Sequence, residues 1–159
     1  MEKDENGNYH IVVYDGNRPG NEHQYLDIAQ AINKSFSRKS HLFCELGRPV
    51  VDTGDLLASI ERLRTVDVDR VCGVITDVKY NHEGELITAN FRPNGPLAEV
   101  ATKMIEQGSV ENRSFSIRSN DPTPHLNTSP RFGYRGIGTP GSDGKVKLDH
   151  VVCWDLISE

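Results

Sequence analysis

An α+β domain, built on a mainly antiparallel sheet or small β-barrel flanked by about three helices, is what the sequence predicts. Three observations carry that expectation. Short β-rich runs recur from residue 9 to residue 157; other segments space their apolar residues at helical intervals; and Asn81-His82-Glu83-Gly84 separates two adjacent strand-like runs as a hairpin turn. The resulting order is β-α-β-α-β-β-α-β-loop-β. A chain of 159 residues has the size of one domain with one sizeable core, so residues 1–159 are expected to fold as a single unit.

The elements follow in order. Tyr-His-Ile-Val-Val-Tyr at 9–14 is a short strand ended by the turn signal Asp15-Gly16-Asn17. Over 22–36, Tyr25, Ile28, Ala29, Ile32 and Phe36 share one helical face that should pack on the sheet. Residues 41–46 form a strand closed by Gly47-Arg48-Pro49. Within it, Glu45 lies among apolar neighbours, where an ionised carboxylate is costly without a partner. Glu45 therefore either points to solvent or pairs with an arginine in a site. Thr53-Gly54-Asp55 can cap a short helix with Leu56, Leu57, Ile60 and Leu63 as its apolar positions. Residues 66–80 read as one long strand with room for a bulge, and 85–92 as its return, with Gly84 free to take positive φ in the turn. Pro96 can open a helix whose stripe is Leu97, Val100, Ala101, Met104 and Ile105, with Gly108 as its C-terminal cap. Residues 119–144, rich in Asn, Pro, Thr, Ser and Gly, read as a long loop, and loops of that length are usually functional or disordered. Residues 145–157 close the chain as a last strand.

Composition excludes several classes of function. The net charge is −5 with no Lys/Arg-rich run, which argues against nucleic-acid binding. No window has the apolar length of a transmembrane helix, and the acidic, polar residues 1–8 are unlike a signal peptide, so a soluble cytoplasmic protein is the expectation. Cys44, Cys72 and Cys153 lie in apolar, strand-like segments without CxxC spacing and are expected as buried reduced thiols. The six histidines are scattered without metal-ligand spacing, so neither a metal nor a cofactor is expected.

One stretch stands out, Glu111-Asn112-Arg113-Ser114-Phe115-Ser116-Ile117-Arg118-Ser119. Read as a strand, it places Ser114, Ser116 and Arg118 on one face and Phe115 with Ile117 on the other. By itself it is either an exposed polar edge or the seat of a nucleophilic serine.

Taken together in order, the motifs resemble those of the prohead maturation proteases of tailed phages, a group related to the herpesvirus assemblins. Their large-myophage branch carries Gly-Glu-Leu-x-His-Pro, then a strand of the type Asp-Arg-Val, a hairpin, a helix ending in Gly, and the nucleophile in Val-Ser-Ser-Arg. Here Cys44-Glu45-Leu46-Gly47-Arg48-Pro49, Asp69-Arg70-Val71 and Ser116-Ile117-Arg118 match in sequence order. Asp149-His150-Val151-Val152-Cys153 resembles the assemblin strand His-Val-Ala-Leu-Cys, which carries that family's second histidine. The resemblance runs from about residue 40 to the end of the chain.

It implies a serine endopeptidase with Ser116 as nucleophile, Arg118 nearby and His150 as the orienting third member. Such a site needs a histidine to take the serine proton, a group to orient it, and donors for the oxyanion. The general-base position, however, holds Arg48, and a guanidinium stays protonated and cannot accept a proton. Either another histidine serves, His41 or His150, or the protein is an inactive relative in which Arg48 makes an ion pair with Glu45 or Asp149. The resemblance further implies capsid and scaffold proteins as partners, a place in the prohead or virion within the host cytoplasm, and cleavage after Glu in Ile/Leu-x-Glu sequences; a homo-oligomer is left open. Ile157-Ser158-Glu159 has the form of such a processed end, although Leu97-Ala98-Glu99 has it too, inside an expected helix.

Overall fold

A computed structural model describes residues 2–18, 24–50, 54–117, 130–142 and 146–158, and for 108–117, 146 and 158 the backbone alone. Six strands form one sheet: β1 (Tyr9–Asp15), β2 (Leu42–Leu46), β3 (Val71–Asn81), β4 (Leu86–Pro93), β5 (Pro130–Pro140) and β6 (Val146–Ser158). Three helices accompany it, α1 (Tyr25–Phe36), α2 (Leu56–Arg64) and α3 (Ala98–Ile117), together with a 3₁₀ turn at Val68–Arg70. The strand order is β1-β4-β3-β2-β6-β5. Every pairing is antiparallel except β2 with β6. The class is therefore α+β, as the sequence predicts.

The sheet curls into a half-barrel because its inner face carries large side chains that must meet. Although β1 and β5 lie at opposite ends of the strand order, Tyr14 and Tyr134 bring their ring centroids to 6.4 Å. Phe91 of β4 and Phe132 of β5 approach to 5.1 Å. Trp154, Tyr9, Phe91, Ile75, Ile87 and Leu156 are fully buried in the core. Helix α1 adds Tyr25, Ile28, Ala29, Ala31 and Ile32, the face its spacing marks out. Its last turn is fastened to β6 by Ser35, whose hydroxyl oxygen lies 2.8 Å from both the N–H and the C=O of Val151. Helix α3 contributes Ala101 and Ile105, and the Tyr9 hydroxyl donates to Glu106 at 2.6 Å. The three cysteines are buried and free. No helix among the described residues is long and apolar enough to cross a membrane.

Several expectations are corrected. Residues 66–80 are not all strand, because the 3₁₀ turn precedes β3; the bulge for which the sequence leaves room is present in β3 between Thr76 and Lys79, where Asp77 takes φ 52°. In the hairpin, Glu85 rather than Gly84 adopts positive φ, at 51°. Asp55 does cap α2, accepting from the Ala58 N–H at 3.1 Å, but Leu56 and Leu57 face solvent. Gly108 does not end α3, which runs on to Ile117. A glycine inside a helix costs only about 1 kcal/mol against alanine, too little to stop one by itself. The two-residue alternation read into 111–117 therefore does not apply, and Arg118 with Ser119 lies outside the described residues.

The expected loop at 119–144 contains β5. Gly133 and Gly136 within it mark close approach rather than turns. At Gly136 an added Cβ would lie 2.4 Å from the Leu148 Cδ1 and 2.8 Å from the His150 carbonyl oxygen. Gly136→Ala is therefore expected to destabilise the protein by about 1–3 kcal/mol through overpacking, read from urea unfolding. A substitution that leaves the midpoint unchanged would contradict the β5–β6 register.

Candidate active site

The parallel β2–β6 pair sets Glu45 beside Asp155, because Cys44, Glu45 and Leu46 lie against Trp154, Asp155 and Leu156. Cys44, Trp154 and Leu156 belong to the main core, so the intervening carboxylates project to the sheet's other face. On the far side of β6, Gly133 lies opposite Asp155 and Arg135 opposite Cys153. Register alone thus gathers two carboxylates, a thiol and a guanidinium on one patch, with α2 above it.

The patch is a closed ionic network. Glu45 and Asp155 are fully buried and Arg135 nearly so. The Arg135 Nη2 donates to Glu45 Oε2 at 2.6 Å and to Asp155 Oδ1 at 2.9 Å. Its Nη1 donates to the carbonyls of Arg62, in the last turn of α2, and Thr65, just past its end, at 3.2 and 3.1 Å. From α2 itself, Arg62 grips Glu45 with both terminal nitrogens. The Asp67 N–H completes the Glu45 shell at 3.2 Å.

The two carboxylates differ in their electrostatics. Burial raises the Glu45 carboxyl, but hydrogen bonds from Arg62 and Arg135 outweigh it and hold the group below its ordinary value of 4.5. Burial also raises Asp155, with the neighbouring Glu45 charge adding to it, and Arg135 together with a smaller contribution from Arg48 does not fully offset them, so its carboxyl stays above the usual range. Burial pushes the Cys153 thiol up to about 12, which leaves it protonated and unfit as a nucleophile. Glu45, Cys153 and Asp155 bring their ligand atoms within 4.8 Å of one another, as a metal site would need. The cationic place between the carboxylates is nevertheless filled by the Arg135 guanidinium.

Arg48 reaches the edge of this network. Gly47 takes φ 74° at the end of β2 and donates its N–H to the Leu156 carbonyl at 2.7 Å, which turns the chain back over β6. The Arg48 guanidinium then lies over Gly133, where an added Cβ would come within 2.5 Å of Nη2. Its Nη1 is 3.9 Å from Asp155 Oδ2, an oxygen with no hydrogen bond of its own. The carboxylate that Arg48 faces is thus Asp155, not Glu45 or Asp149.

The other predicted site residues are placed apart. His41 lies just outside β2, exposed, with its ring edge-on to Phe43 and its Nδ1 3.3 Å from the Ser40 hydroxyl. His150 lies opposite Ile137 on β6 and borders a cavity beside the end of α1. Ser114 and Ser116 fall within the α3 backbone, and their side chains, like Arg118 as a whole, lie outside the described residues. Sequence reasoning identified Glu45 and the option of an arginine partner, but missed Asp155, Arg135 and Arg62. Asp155 carried a usable signal, an acidic residue inside the apolar run Val-Val-Cys-Trp-Asp-Leu-Ile.

Three outcomes follow. Removing Arg135 leaves two buried carboxylates short of a cation, so Arg135→Met should cost about 3–5 kcal/mol. Arg48, whose side chain is 51% exposed and only loosely paired, should cost under about 1 kcal/mol as Arg48→Met. Because the folded pKa of Glu45 is depressed, its ionisation stabilises the fold above pH 4.5 and that contribution is lost as the pH falls below it. Denaturant titrations should therefore show Glu45→Gln less stable than wild type at pH 7, with the two converging in acid. A gap that is independent of pH would contradict the pairing.

Searches of curated proteins and of solved structures return no match for this chain. The family model described as the peptidase S80 family matches residues 1–159. With its whole length covered, and with ordered motifs around Glu45, Asp69 and Ser116 that resemble prohead proteases, this chain belongs to the peptidase S80 family.

Proposed function

We propose that this S80 chain takes part in phage head assembly as a protease homologue whose hydrolytic step is disabled at Arg48, and that it serves as a component of the head. The observation that carries the reading is the Arg48–Asp155 contact. A guanidinium, always charged, faces the unpaired oxygen of a buried carboxylate, at the position where the family motif has its base histidine. A carboxylate so placed could orient an imidazole for proton transfer; facing Arg48 it can only balance charge. Loss of general-base help costs roughly 10²–10⁴-fold in rate, enough to leave Ser116 an ordinary hydroxyl. Shell and scaffold proteins would be its neighbours, within the prohead in the host cytoplasm.

Membership of a peptidase family along the whole chain favours a second reading. In it the chain is an active serine endopeptidase, cutting after Glu in Ile/Leu-x-Glu sites of scaffold and capsid proteins. Ser116 would be the nucleophile and His150 or His41 the base.

Turnover of Ile-x-Glu peptides separates the two. With the base absent, wild type and Ser116→Ala should both stay at background. Arg48→Gly in buffers of rising imidazole concentration should then gain cleavage that Ser116→Ala removes. Wild-type cleavage lost in Ser116→Ala would instead establish the second reading.

A further inference from the structure

The geometry points to a second site, a docking cavity for an acidic peptide segment of a partner protein, distinct from the Arg48–Asp155 patch and independent of whether the chain cuts peptide bonds. The cavity measures about 760 Å³ and lies where the ends of α1 and α2 meet the start of β2 and the middle of β6. That volume is in the range of built ligand sites, roughly 300–1,000 Å³.

Its charge is one-sided. Lys34, Arg38, Lys39 and Arg64 border it, His150 lies on its β6 side, and among the described residues no carboxylate lines it. Among the described residues none of those four cations is in a salt bridge, although the chain as a whole carries −5. Helix dipoles do not account for the cluster. Two helix C-termini supply roughly −0.5 charge each, which leaves about three of the four positive charges unbalanced.

The rest of the lining selects the ligand class. Leu42, Val66, Val151 and Val152 give the cavity apolar surface between the cations. Among the described residues no Phe, Tyr or Trp lines it, and those residues offer no platform on which single-stranded nucleic acids stack their bases. A peptide alternating acidic and aliphatic side chains satisfies both features, its carboxylates meeting the cationic rim and its apolar groups covering the valines. At the wall against β6, Ser35 ties α1 to Val151. The cavity also adjoins the buried network through Thr65, which lines it and whose carbonyl accepts from Arg135.

Fluorescence anisotropy of the full chain carrying Ser116→Ala tests the site, with a labelled Leu-Glu repeat hexapeptide as the probe. The peptide should bind at low salt and weaken at least tenfold in 0.5 M NaCl, where the screening length falls to about 4 Å. The triple variant Lys34→Glu, Lys39→Glu, Arg64→Glu should lose at least tenfold in affinity while its far-UV circular dichroism is unchanged. Lys79→Glu, an exposed cation on β3, should bind as before. Affinity unaffected by the triple variant would overturn the proposal, as would the absence of binding. Tighter binding of a labelled oligothymidine would assign the cavity to nucleic acid, and a wild-type dimer that the triple variant dissociates would assign it to a second copy of the chain; either result overturns it as well.

Discussion

Two carboxylates buried side by side on parallel strands are the constraint around which this fold closes. Glu45 and Asp155 are neighbours across the β2–β6 ladder, and neither reaches water. Left alone, such a pair would be among the costliest features a domain could carry. Arg135 resolves it by donating one nitrogen to both, and Arg62 adds a second cation on Glu45. That solution dictates much else. Strand β5 must lie in register with β6 to deliver Arg135, and α2 must sit on the outer face of the sheet to deliver Arg62. The chain after α2 must present the Thr65 carbonyl and the Asp67 N–H. The curl of the half-barrel serves the apolar side of the same strands.

Arg48 is the third arginine in this neighbourhood and differs from the other two. Arg62 and Arg135 already balance the formal charge of Glu45 and Asp155, so Arg48 is not needed to neutralise the network. Its side chain is half exposed and its contact with Asp155 is long. The turn at Gly47 nonetheless aims it at the one carboxylate oxygen without a hydrogen bond. A cation that adds little to stability, aimed at a buried carboxylate, is what the proposed loss of the base at this position would leave behind.

Local signals made most of the sheet and α1 legible in the sequence, since alternation in β1 and β4 and the Tyr25-Ile28-Ile32 spacing each report burial of one face. Strand β5 was hidden because Gly133, Gly136 and Gly138 read as loop chemistry. Gly133 and Gly136 are there because Arg48 and Leu148 press against the backbone, and that pressure comes from residues 12 to 85 positions away in the chain. The extent of α3 was hidden for the opposite reason: a single glycine was given more weight than a helix assigns it. At the site, Glu45 was recognisable as a carboxylate in need of a partner. Of its two arginine partners, Arg135 is delivered only because β2 pairs with a strand more than a hundred residues later, and no local pattern encodes that. The apolar residues of α2 misled as well, since the helix is held by Arg62 and the Asp55 cap while Leu56 and Leu57 face water.

The proposed loss of hydrolysis depends on Ser116 lacking a base. Its reactivity toward diisopropyl fluorophosphate, read as a diisopropylphosphoryl adduct by peptide mass spectrometry, tests that most directly, because this phosphorylation, with loss of fluoride, requires an activated serine but no knowledge of the substrate. The account predicts labelling of Ser116 no faster than of other serines in the chain. Stoichiometric modification confined to Ser116 would contradict it.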